Sequence, residues 1–215
     1  MADALPPGVI LHKDYLPQDT QKTLMDLILK GADEMSWISP VTPGGKPFSV
    51  RQVNFGSLGW ISDRKGYRYS PTHPHTGQTW LPIPEPILAI WADLLPTAPS
   101  PECCLVNHYL DAAKMGMHQD RDEDDQTTPI LSISLGQSAK FRIGKTDRPT
   151  PTQSFPLNSG DVLIMGGASR LAYHGIDRLI EADPLFTPHT AILEGRLNIT
   201  LRRVTKSVLS PNEGD

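Results

Sequence analysis

Apolar residues recur at helical spacing in two stretches of the N-terminal half of the chain. Leu24, Leu27 and Ile28 fall on one face and predict a helix over residues 18–31, with Asp19 or Thr20 as its cap and Gly31 as its stop. Ile87, Leu88, Trp91, Leu94 and Leu95 predict a second helix over residues 86–95. Residues 37–82 carry little periodicity but hold Pro43-Gly44-Gly45, Gly56, Gly59, Gly66 and several prolines, a pattern of short strands joined by turns. From Cys103 onward the pattern changes to strands, expected near 103–110, 114–119, 129–135, 139–144, 161–165, 170–176 and 195–204. Short, regularly spaced strands after helices predict a mainly β fold with flanking helices (α+β), its two sheets facing each other as a jelly roll.

At 215 residues and 23.7 kDa the chain fits one domain with an elaboration. Its 21 prolines, about double the usual share, cluster at 40–43, 71–86 and 149–156, where they favour ordered turns over long helices. A formal net charge of -4 excludes a protein that coats nucleic acid by bulk positive charge, so any such contact must be local. The two cysteines, Cys103 and Cys104, are neighbours in an apolar run, which offers no zinc site and points to a reducing compartment. No stretch approaches the roughly 18 apolar residues of a membrane span. A cytoplasmic monomer is expected, with no membrane partner.

Three features carry candidate chemistry. In His118-Gln119-Asp120, residues two apart on a strand face the same side, so an imidazole and a carboxylate converge. Alone, such a pair also describes an incidental surface contact. His174, 54 residues beyond Asp120 and followed by Gly175, could end a strand with its ring in the jelly-roll mouth. Two histidines and one carboxylate on one face of a metal leave open positions, the geometry associated with non-haem iron(II) oxygenases; the competing reading of His174 is a hydrogen-bonded core histidine. In Arg196-Leu-Asn-Ile-Thr-Leu-Arg202, alternation puts Arg196, Asn198, Thr200 and Arg202 on one face and Leu197, Ile199 and Leu201 on the other. Two guanidinium groups beside an amide and a hydroxyl make a receptor for a dicarboxylate, although a solvated edge strand would show the same alternation.

Taken in order, Val41-Thr-Pro-Gly-Gly45, Leu58-Gly-Trp60, Gly66-Tyr-Arg-Tyr-Ser-Pro71, Asn107-His-Tyr109, His118-Gln-Asp-Arg-Asp-Glu123, Ser132-Ile-Ser-Leu-Gly136, Ser169-Arg-Leu-Ala-Tyr-His-Gly175 and Arg196-Leu-Asn-Ile-Thr-Leu-Arg202 resemble the AlkB family of nucleic-acid dealkylating dioxygenases, in its bacterial branch. The resemblance spans residues 37–204. It implies a double-stranded β-helix core over residues 83–215, a nucleotide-recognition lid over 37–82, and an N-terminal extension with one helix over 1–36.

The implied iron(II) ligands are His118, Asp120 and His174. The implied 2-oxoglutarate site is Asn107, Tyr109, Arg196, Asn198 and Arg202, with Arg202 at the chelating end of the cosubstrate and Arg196, Asn107 and Tyr109 at its far carboxylate. Trp60 would stack on an extruded base opposite His118, and Tyr67 and Tyr69 would touch the strand. Arg64, Lys65 and Arg68 would supply phosphate-directed charge. Asp122 would favour a base made cationic by methylation, and Arg148 would add a further substrate contact. The implied reaction uses O2, converts 2-oxoglutarate to succinate and carbon dioxide, and hydroxylates the N-methyl group of 1-methyladenine or 3-methylcytosine in DNA, with RNA open as a second polymer. The product then sheds formaldehyde, and base extrusion would bring the buried target atom to the site.

Rival readings are weaker. Asp120, Asp122 and Asp124 have the spacing of a calcium loop, but Asp125 stands where it needs glycine and Leu131 where it needs glutamate. His73-Pro74-His75 has no further ligands nearby and is read as a polar turn. The functional alternatives are the same dioxygenase chemistry on a protein or RNA-only substrate, and a noncatalytic jelly-roll binding module.

Overall fold

Short alternating strands pair antiparallel into two facing sheets in the computed structural model, which describes residues 4–147, 151–180 and 194–206. The larger sheet runs in spatial order β1 (Val9–His12), β10 (Val162–Met165), β7 (Ile130–Gly136), β12 (Arg196–Arg202), β5 (Cys103–Tyr109) and β2 (Val50–Gly56). The smaller runs β6 (Met115–His118), β11 (His174–Ile180), β8 (Ser138–Ile143) and β9 (Gln153–Leu157), and a separate hairpin joins β3 (Gly59–Asp63) to β4 (Gly66–Ser70). This is the expected mainly β, jelly-roll architecture.

The alternation along β12 divides the interior. Leu197, Ile199 and Leu201 pack with Leu24 and Ile28 of helix α1 (Gln18–Met35) and Ile87 and Trp91 of helix α2 (Glu85–Leu94) in one apolar layer. Each fully buried Leu or Ile there contributes about 1.5–3 kcal/mol. A second layer lies between the sheets, where Tyr109, Ile130, Leu163 and Met165 meet Phe141, Ile143, Leu157 and Ile176. The polar face of β12 looks into this second layer, which is where the candidate site forms.

Several boundaries differ from expectation. Helix α1 runs through Gly31 to Met35, and Gly31 is a contact point: a Cβ there would lie 2.5 Å from the Phe55 ring. Pro17 occupies the cap position, Asp19 lies in the first turn, and Leu27 is only half-buried while Met25, Ala32 and Met35 complete the buried face. Residues 170–173 are turn, not strand, because successive turn bonds (Arg170 N to Gly167 O, Ala172 N to Ser169 O) precede β11. His174 therefore opens its strand instead of ending it. Strands β1 and β9 were not anticipated; both are edge strands, where Pro156 of β9 is tolerated. Finally, β2 comes from the 37–82 stretch yet pairs with β5 (Val53 opposite Val106) in the main sheet, leaving β3–β4 as a two-stranded sheet apart from both main sheets. Arg148 lies outside the described residues.

Candidate active site

Strand pairing brings the two histidines together. His174 on β11 is the register partner of His118 on β6, and their ring centroids are 4.5 Å apart. Gly175 permits this approach, because a Cβ at that position would lie 2.6 Å from the Met115 carbonyl. Nδ1 of His118 lies 2.9 Å from the Gly116 carbonyl and Nδ1 of His174 lies 3.0 Å from the Ala172 carbonyl. A carbonyl only accepts, so both Nδ1 atoms carry the proton and both Nε2 lone pairs are free to bind a metal.

Asp120, two residues past His118 and just beyond the end of β6, places Oδ1 3.5 Å from His118 Nε2 and Oδ2 4.0 Å from His174 Nε2. The three ligand atoms all lie within 4.8 Å of one another. Burial alone would lower the His118 pKa, but the hydrogen bond and charge of Asp120 hold it above the usual 6.5. Burial and the neighbouring His118 push His174 down to about 4. Burial opposes ionisation of Asp120, yet Arg202 and His118 outweigh it and keep the carboxyl well below the usual range. Once His118 gives up its Nε2 proton to make way for a metal, two imidazoles and a carboxylate form the facial donor set of a non-haem iron(II) centre.

Behind the triad lies a cavity of about 50 Å³ lined by Asn107, Tyr109, Arg196, Asn198, Arg202 and apolar side chains of both sheets. Pairing of β12 with β5 sets Arg196 opposite Tyr109 and Asn198 opposite Asn107, so all five polar residues expected there share one place. Arg196 is fully buried and donates to Ser134 Oγ at 2.7 Å and the Leu157 carbonyl at 3.3 Å; its Nε has no partner among the described residues. Burial pulls this guanidinium down to about 10. A buried cation that meets only neutral acceptors is a ready receptor for a carboxylate. Arg202, by contrast, donates to Asp120 Oδ2 at 2.7 Å and to the Tyr69 hydroxyl at 3.3 Å.

In front of the triad a groove of about 510 Å³ is lined by Trp60, Tyr67, Phe48, Met115, His118, Asp120, Asp122 and Arg202 among others. The cavity and the groove share Asn107, Met115, His118, Asp120 and Arg202, so the triad stands at their junction. Trp60 and Tyr67 stack with centroids 5.7 Å apart at 16°, and Trp60 Nε1 donates to Asp122 Oδ2 at 2.9 Å. Tyr69, on the same hairpin, turns inward instead and donates to Glu123 Oε1. Arg64 and Lys65 are exposed at the hairpin tip, whereas Arg68 is paired with Asp63 through two bonds at 2.8 and 2.7 Å. His73 accepts two backbone N–H bonds in its turn, from His75 and Thr76.

Three residues that sequence reasoning missed surround this centre. Glu123 is buried between Arg170 (3.3 Å) and Arg202 (3.5 Å), and Arg170 also donates to the Asp120 and Thr128 carbonyls. Gln119 donates to the carbonyls of Leu171 and Thr146. In the acidic run from Asp120 to Asp125, the two arginines on otherwise buried segments, Arg170 and Arg202, are the signal that some of its carboxylates turn inward.

A facial His-Asp-His centre set between a guanidinium-lined cavity and an open groove, in the mouth of a jelly roll, defines an oxygenase that uses iron(II), 2-oxoglutarate and O2. Residues 8–202 match the family model of the 2OG-Fe(II) oxygenase superfamily. The chain is 45% identical over 197 residues to an alpha-ketoglutarate-dependent dioxygenase AlkB homolog of Caulobacter vibrioides, covering 92% of this chain and 88% of the relative. It is 36% identical over 208 residues to the alpha-ketoglutarate-dependent dioxygenase AlkB of Escherichia coli, covering 95% and 94%. A solved structure, that of OsALKBH1, superposes with a TM-score of 0.77 at 31% identity over 94% of this chain and all of that one. The chain belongs to the AlkB family of iron(II)- and 2-oxoglutarate-dependent dioxygenases.

Proposed function

We propose that this dioxygenase demethylates ring nitrogens of nucleic-acid bases, of the 1-methyladenine and 3-methylcytosine type, in DNA, with RNA carrying the same lesion as a second substrate. The observation that carries the reading is the groove, whose aromatic stack of Trp60 and Tyr67 faces the triad together with the Asp122 carboxylate. A base is flat, polarisable and, when methylated at these positions, cationic, so it suits an aromatic wall beside a carboxylate.

In this reading His118, Asp120 and His174 hold the iron, which when bound supplies the oxidising chemistry on the methyl carbon. Arg196, with Asn107, Tyr109 and Asn198, receives the far carboxylate of 2-oxoglutarate, while Arg202 stands beside Asp120 at its chelating end. Trp60 supports the extruded base, Tyr67 backs Trp60, and Asp122 favours the cationic form. Arg64 and Lys65 at the hairpin tip meet the phosphate backbone. Hydroxylation of the methyl group yields a hydroxymethyl adduct that releases formaldehyde. The test is formaldehyde release from an oligonucleotide bearing one defined methyl lesion, with iron and 2-oxoglutarate supplied or omitted. Stoichiometric formaldehyde and succinate are expected; neither formaldehyde nor lesion-dependent succinate on any lesion tried would overturn the reading and direct the search to a protein substrate.

A further inference from the structure

We propose that Gln119 and Arg170 form a reciprocal clasp that sets the spacing of the iron ligands, with Gln119 as a positioning residue. The inference rests on the reading of His118, Asp120 and His174 as those ligands. Pairing of β11 with β8 fixes His174, opposite Ile143, but backbone pairing does little to fix the His118–Asp120 side against it. Strands β6 and β11 meet at His174–His118 and Ile176–Met115 with a register shift between, and Asp120 lies past the end of β6 in a segment, 119–129, without helix or strand.

Side chains supply what the backbone does not. From the Asp120 segment, the Gln119 amide turns to the other side and donates to the Leu171 carbonyl at 2.7 Å and the Thr146 carbonyl at 3.1 Å. From the turn before His174, Arg170 reaches back, donating to the Asp120 carbonyl at 2.8 Å and the Thr128 carbonyl at 2.8 Å. Each ligand-bearing segment thus lends a side chain to the main chain of the other. The loop that holds Thr146 is itself tied to the same turn, through Gly144 N to Tyr173 O at 2.8 Å and Tyr173 N to Lys145 O at 3.0 Å. All four acceptors of the clasp are carbonyls, so only donor side chains can close it. Partners that orient metal ligands in this way typically govern metal affinity by about 10–100-fold.

Gln119 is the member to test, because it is half-buried, whereas Arg170 is buried and its removal would also take from buried Glu123 one of its two arginine partners. Full-length wild type, Gln119→Ala, Gln119→Glu and His174→Ala are freed of metal and titrated with Mn(II) by calorimetry and with Co(II) by visible absorption. Thermal unfolding of the metal-free proteins is followed in parallel. Gln119→Glu keeps the shape of the side chain but turns an oxygen toward two carbonyls. Both Gln119 variants should unfold within a few degrees of wild type, bind Mn(II) about 10–100-fold more weakly, and show altered Co(II) bands. Wild-type Mn(II) affinity and Co(II) bands in either Gln119 variant would overturn the clasp, and so would a loss of affinity accompanied by general unfolding. His174→Ala separates the underlying reading: if it binds Mn(II) like wild type the ligand assignment fails, whereas weak binding there with intact binding in the Gln119 variants removes the clasp alone.

Discussion

The indole nitrogen of Trp60 donates to the carboxylate of Asp122 across 2.9 Å, joining the hairpin to the segment that carries Asp120. One tryptophan therefore presents a ring to the groove and also holds the carboxylate beside it, while Tyr67 covers part of the ring. Stacking and charge recognition are mechanically joined at this point.

Two replacements separate them. Trp60→Ala should weaken binding of a lesion-bearing strand by roughly 1–3 kcal/mol, the usual worth of base–aromatic stacking, and leave 2-oxoglutarate affinity unchanged. Trp60→Phe keeps a ring but frees Asp122, so it should recover part of the affinity and discriminate less well between methylated and unmodified strands. Oligonucleotide affinity and thermal unfolding on one preparation check both. A folded Trp60→Ala protein with unchanged affinity and unchanged repair would remove the stacking role.

The two cosubstrate arginines should behave oppositely, because Arg196 is buried among neutral acceptors and Arg202 is buried between carboxylates. Arg196→Met removes a buried cation that makes no direct ion pair among the described residues and is offset only by the charge of Asp161, so it should keep or raise the unfolding temperature of the cosubstrate-free protein, while lowering 2-oxoglutarate affinity about tenfold or more. Arg202→Ala leaves buried Asp120 without its arginine and Glu123 with Arg170 alone, and should cost about 3–5 kcal/mol of stability as well as cosubstrate affinity. Denaturant unfolding and calorimetry with 2-oxoglutarate distinguish the pair. A marked loss of stability in Arg196→Met would show that its guanidinium already has a compensating partner.

Period-two alternation made β12 and its polar face legible in the sequence, and the same rule placed His118 and Asp120 on one side. The rest depended on contacts that no local pattern encodes. Gly31 reads as a helix stop because glycine usually marks one, yet here it makes room for Phe55 from another strand. Tyr67 and Tyr69 look equivalent two residues apart on β4, but only Tyr67 lines the groove, since Tyr69 bonds to Glu123, a carboxylate whose burial is set by Arg170 and Arg202. Arg68 reads as free for phosphate, but the hairpin sets it opposite Ile61, from where its side chain reaches diagonally to Asp63.

Asp120 serves both as a candidate ligand and as the partner of Arg202 at 2.7 Å. Asp120→Asn preserves shape but removes the charge that the arginine and a bound metal both need. Turnover and bound iron should both be lost, as in His118→Ala and His174→Ala. Iron content after reconstitution and succinate formation are the measurements, and full activity in any one variant would take that residue out of the centre.

Asp125 gives the acid limb of stability. Its carboxylate accepts from the backbone N–H and hydroxyl groups of both Thr127 and Thr128, at 2.6–3.1 Å. Burial opposes ionisation, but those bonds outweigh it and lower the pKa below the usual 3.8. A carboxyl with a depressed folded pKa contributes stability that is complete above its unfolded pKa and is lost as the pH falls through the folded one. Asp125→Asn keeps one acceptor oxygen without the charge, so it should be less stable than wild type by roughly 1–3 kcal/mol at pH 7. The gap should narrow progressively as the pH is lowered below about 4. Urea unfolding of both proteins between pH 7 and pH 3 follows this directly. A gap that stays constant over that range would mean that the shape of the turn, and not the ionised carboxylate, is what holds the 125–128 segment beneath the triad.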